Sequence, residues 1–69
     1  MKKYSIEITS PYDKENLVAE IWDKDTMIAE LSQEAKEIIL TIYTKTPNIA
    51  LEYEEFLSTI QKAKLDLFG

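Results

Sequence analysis

Residues 17–31 read LVAEIWDKDTMIAEL, and the motif Val18-Ala19-Glu20-Ile21 returns ten positions later as Ile28-Ala29-Glu30-Leu31. Apolar and polar side chains alternate on both arms, and the polar run Asp23-Lys24-Asp25 separates them, so the stretch predicts a β-hairpin. Setting Ala19 opposite Ala29 makes those three polar residues the turn. Leu17, Ala19, Ile21, Met27, Ala29 and Leu31 then share one face, which is the expected core. The other face carries Val18, Glu20, Trp22, Ile28 and Glu30.

The same alternation extends outward from the hairpin. Tyr4, Ile6 and Ile8 alternate with Ser5, Glu7 and Thr9, a half-buried strand whose flanking Lys2 and Lys3 suit a sheet edge. Pro11, Asp13, Lys14 and Asn16 make a loop, because proline cannot donate to a ladder. Beyond the hairpin, Ser32-Gln33-Glu34-Ala35 forms a second turn. A fourth strand follows, with Ile38, Leu40 and Ile42 inward and Ile39, Thr41 and Tyr43 outward, its β-branched content favouring strand over helix. Thr46-Pro47-Asn48 then breaks the sheet. After it the apolar period changes from two to about 3.6: Tyr53, Phe56, Leu57, Ile60, Ala63, Lys64 and Leu67 fall on one helical stripe. Glu52, Glu54 and Glu55 suit the electropositive start of this helix, and Lys62 and Lys64 its end.

The expected fold is α+β: an antiparallel meander of four strands, at about 3–10, 16–22, 26–32 and 36–44, with one C-terminal helix, about 52–67, packed on one face. A short fifth strand at 49–53 is left open by the pattern. The 69 residues fit one domain, 1–69, small enough that its core alone is a marginal source of stability.

With no cysteine and no histidine, disulfides and the usual zinc and haem ligands are excluded, and no cofactor is expected. No apolar run follows the lysines at the start and none reaches spanning length, so neither a signal peptide nor a membrane span is expected and the location implied is cytoplasmic. Eight lysines, no arginine and thirteen carboxylates give a net charge of −5. That balance argues against direct nucleic-acid binding and suits a basic protein partner, although solubility alone also accounts for such acidity.

Paired carboxylates are the only catalytic material. Glu20 and Glu30 share a face, but a general acid needs a pocket to raise its pKa, and one helix leaves little material for walls, so the reading is non-enzymatic. Asp23-Lys24-Asp25 lacks the ligand spacing and glycine of a calcium loop. The outward sheet face is more informative. It gathers Glu7, Glu20, Trp22, Ile28, Glu30 and Tyr43, aromatic and apolar anchors among charges, as partner-binding surfaces do. A rival account folds the loop around Pro11 and Tyr12 over Trp22 as a second small core. Glu54 and Glu55 point off the helical stripe and are further candidates for a basic partner.

The hairpin arms LVAEIW and MIAELSQE, a fourth strand, and a closing helix with EEFL and AK resemble small immunity proteins of polymorphic toxin systems, in particular contact-dependent growth inhibition. The resemblance covers about residues 17–67 and involves no diagnostic motif. It implies a non-enzymatic protein that binds and blocks a cognate toxin, very often a nuclease. Two further possibilities are a phage-encoded inhibitor of a host defence nuclease, such as an anti-CRISPR protein, and a structural homodimer that buries its outer sheet face.

Overall fold

The computed structural model describes residues 3–10 and 16–69. Four strands, β1 (Ser5–Thr9), β2 (Val18–Asp23), β3 (Thr26–Glu34) and β4 (Glu37–Ile42), form one antiparallel sheet in the order β1-β2-β3-β4, and α1 (Tyr53–Phe68) follows. This is the expected α+β meander, because each short connection pairs neighbours in sequence. The possible fifth strand at 49–53 is not formed. No helix among the described residues is long and apolar enough to cross a membrane.

The central hairpin differs from its expected register by two residues. Ala19 faces Leu31, and Ile21 faces Ala29. The turn shortens to Lys24-Asp25, closed by the Asp23–Thr26 pair, with Lys24 at φ 56°. A bulge then restores alignment: Trp22 pairs with Met27, leaving Ile28 as the extra residue between Met27 and Ala29. A bulge reverses facing for the residues beyond it. Ile28, expected outward as a partner contact, is 3 % exposed and belongs to the core with Ala19, Ile21, Ala29, Leu31 and Ala63, whereas Met27, expected inward, sits beside Trp22. The second turn also moves, since β3 runs through Glu34 and Ala35 takes φ 56°. Leu17, expected in the core, is half exposed.

Helix α1 begins where Glu52 caps it, its carboxylate accepting from the Glu55 N–H at 2.6 Å, and ends at Gly69, whose N–H donates to the Leu65 carbonyl at 2.9 Å. The first feature satisfies an orphan donor, and the second uses a positive φ that glycine adopts without strain. No basic residue lies in the last turn, so the expected dipole pairing at that end is absent. Lys62 instead meets Asp66 at 3.4 Å on the surface, an exposed pair that contributes little.

The stripe that packs on the sheet is Phe56, Thr59, Ile60, Ala63 and Leu67, with Thr59 and Ala63 buried. Relative to the expected stripe the helix is rotated, so that Tyr53, Leu57 and Lys64 turn outward and Thr59 turns in. Burying Thr59 is tolerable because its hydroxyl donates to the Glu55 carbonyl at 2.7 Å. Two contacts anchor the helix start to β1's approach: the Glu52 N–H donates to the Tyr4 hydroxyl at 3.0 Å, and the Tyr4 ring meets Phe56 edge-on at 5.8 Å. Tyr4→Phe keeps the ring contact and removes only the acceptor, so urea denaturation should show a loss of about 1 kcal/mol.

The helix packs on β1, β2 and β3 and not on β4. Ile38, Leu40 and Ile42 lie on the helix side of the sheet as expected, partnered with Gln33, Leu31 and Ala29, yet they remain over 40 % exposed.

Candidate functional site

The face turned away from the helix is set by strand parity. A register change of two residues preserves parity, so Glu7, Glu20, Trp22 and Glu30 stay on the outer face as expected, while their neighbours change. Glu7 pairs with Glu20, and Glu20 pairs with Glu30, so three carboxylates stand in one row across β1, β2 and β3. Adjacent members are about one strand spacing, ~4.8 Å, apart at the backbone. Thr41 continues the row on β4.

Like charges directly opposite on a sheet are destabilising, by roughly 0.2–1 kcal/mol per pair, and Glu20 takes part in two such pairs. Trp22 flanks the row, its indole N–H donating to Glu20 Oε1 at 3.2 Å, which holds the carboxylate against the ring edge. Met27, opposite Trp22, completes this side of the patch. Sequence reasoning missed Met27, because only the bulge brings it round.

Farther along, the face closes. Val18 and Ser32 are 1 % and 2 % exposed although the helix lies on the opposite side. The expected apolar surface is therefore smaller and more acidic, with Val18 and Ile28 both withdrawn from it. The suggested cover of Trp22 by the loop at Pro11 and Tyr12 lies outside the described residues, as does the edge role of Lys2.

Of the remaining candidates, Tyr43 adjoins the Met27 side of the patch, and Glu54 and Glu55 do not lie with the row. Tyr43 lies past the end of β4, its N–H donating to the Ile28 carbonyl at 2.9 Å, and lines a 430 Å³ groove with Thr26, Met27, Lys45 and Ile49. Glu54 and Glu55 belong to the helix, on the other side of the sheet. Glu54 is exposed, while Glu55 is half-buried in a 560 Å³ groove between the helix and the Tyr4–Ile6 segment, lined also by Ser58, Thr59 and Lys62. Glu20 and Glu30 line neither groove. Among the described residues no three acidic groups converge as a metal site would require. The carboxylates form an open row on a sheet.

Comparison of the chain with family models, with curated proteins and with solved structures finds no match.

Proposed function

We propose that this protein is a non-enzymatic inhibitor that binds a basic protein target through its outer sheet face, the target being a nuclease whose phosphate-binding surface the acidic row occupies. The observation that carries this reading is the row Glu7–Glu20–Glu30. A sheet gains nothing in stability from three directly opposed carboxylates, and departures from local stabilising rules concentrate where function requires them. One negative charge per ~4.8 Å of row is comparable to one phosphate per 3.4 Å of axis along a nucleic-acid strand. Trp22 and Met27 add an apolar anchor beside the charges.

The form of this activity that the hairpin and helix pattern favours is immunity, in which the target is a cognate toxin. A phage inhibitor of a host nuclease uses the same surface against a different enzyme. The net charge of −5 supports either, since an acidic body approaching a basic one gains association rate that salt removes.

The test is capture with tagged protein, in parallel with a Glu7→Lys, Glu20→Lys, Glu30→Lys triple variant, followed by mass spectrometry and nuclease assays on what is captured. The expected result is a basic nuclease retained and inhibited by the parent alone, with an association rate falling steeply from low to physiological salt. Identical capture by parent and triple variant, or a rate flat in salt, overturns the reading.

A further inference from the structure

Among the described residues the strand β4 has a free edge as well as an uncovered face. The Tyr43 N–H points to β3, so alternation turns the backbone groups of Ile38, Leu40 and Ile42 toward the open edge. Natural sheets blunt such edges with proline, lysine, a bulge or an inward charge. Residues 38–42, Ile-Ile-Leu-Thr-Ile, contain none of these.

The side chains of the same residues are uncovered because of how α1 is rotated. Its polar shoulder, Glu55, Ser58, Thr59 and Lys62, looks toward Tyr4–Ile6 at the β1 side. The opposite shoulder, with Tyr53 at 69 % and Leu57 at 41 % exposed and Lys64 on the same stripe, therefore looks toward β4. An apolar trough results, floored by Ile38, Leu40 and Ile42.

What fits this edge is a strand of the same kind, and β4 is complementary to itself. We propose that β4 pairs antiparallel with β4 of a second copy about a two-fold axis at Thr41, joining two four-stranded sheets into one of eight strands. In that register Thr41 faces Thr41 of the second copy, Ile39 faces Tyr43, and Leu40 faces Ile42. Glu37 comes opposite Lys45. Threonine pairs, aromatic with β-branched pairs and opposite charges are the cross-strand combinations that stabilise a sheet. Residues facing one another across the pair lie on the same face, so the helices of both copies lie on one side and both acidic rows on the other. The trough floors become continuous across the axis, each leucine burying its flank against an isoleucine. The pairing is independent of any nuclease target.

Sedimentation equilibrium tests it. The parent is expected to sediment at about twice 8.0 kDa in the upper micromolar range. Thr41→Lys is expected to keep the fold, since within one copy the new lysine faces Glu30, while setting two lysines against each other at the axis and leaving the protein monomeric. Leu40→Pro removes the N–H directed at the free edge together with the leucine flank, without breaking a hydrogen bond to β3, and should abolish pairing as well. Glu37→Lys should weaken association about tenfold, and adding Lys45→Glu should restore it. A mass of 8.0 kDa up to about 1 mM overturns the proposal. So does a folded Thr41→Lys protein that dimerises as well as the parent, or a charge reversal at Glu37 that Lys45→Glu fails to repair.

Discussion

Ile21→Ala should unfold most of the population at room temperature, whereas Ile38→Ala should leave the domain folded, although both residues are isoleucines on the helix side of one sheet. Ile21 is fully buried, paired with Ile6 on β1 and Ala29 on β3 in the middle of the core. Its small neighbours Ala19, Ala29 and Ala63 have no side chain with which to fill the space it vacates. Truncating a large buried aliphatic costs about 2–5 kcal/mol, and a site that cannot collapse lies at the upper end. A 69-residue domain without disulfides holds only about 3–5 kcal/mol in total. Ile38 is 44 % exposed at a position the helix does not reach, so its loss should cost under about 1 kcal/mol. Urea denaturation of both variants decides the matter. Equal losses would mean that the helix covers β4 and that the trough does not exist.

The contrast between these two isoleucines marks the boundary of what was legible in the chain. Alternation in residues 4–9, 17–31 and 36–43, then a change of period after Pro47, was enough for the meander, the helix and the sheet face on which Glu7, Glu20 and Glu30 stand. It was not enough for the bulge. Met27 and Ile28 are both large and apolar, so exchanging their faces costs neither a hydrophobic residue to water nor a charge to the core, and the pattern contains no term that prefers one arrangement. Turn chemistry gave no help either, because the chain's single glycine is Gly69 and the left-handed turn positions fall to Lys24 and Ala35. The helix rotation was hidden for a related reason. Tyr53 and Leu57 count as core in a hydrophobic stripe, and Thr59 as surface, until the Thr59 hydroxyl is seen to be satisfied by the Glu55 carbonyl. Composition supports a helix face broad enough for the whole sheet, and only geometry reveals that β4 is left out.

The candidate site was legible in membership but not in arrangement. Glu7, Glu20, Trp22 and Glu30 share a face under any register of the right parity. With Ala19 opposite Ala29, however, Glu20 would face Ile28 and the acidic residues would be scattered. The actual register sets Glu20 between Glu7 and Glu30, which turns a general acidity into a line of directly opposed carboxylates. That difference changes what a mutation should do.

Glu20→Gln should move stability and binding in opposite directions. The substitution relieves two opposed pairs and keeps the acceptor that Trp22 uses, so the domain should gain about 1 kcal/mol, and added salt, which screens the same repulsion, should raise the thermal midpoint of the parent more than that of the variant. Binding to the proposed basic target should fall, because the central charge of the row is gone, and Glu20→Lys with Glu30→Lys should abolish it by opposing like charges across the proposed interface. Trp22→Ala should weaken binding by about 2 kcal/mol or more, roughly thirtyfold, as expected of an aromatic anchor. Its effect on folding should be smaller than that of Ile21→Ala, since the ring is half-buried and outside the core cluster. Calorimetric titration and thermal melts on the same four proteins separate the two quantities. Residues kept only for structure lose stability when altered, while a residue that strains the fold in order to bind gains it. A Glu20→Gln protein that is less stable than the parent would show the row to be structural, and the search for a binding surface would pass to Glu54 and Glu55 on the helix.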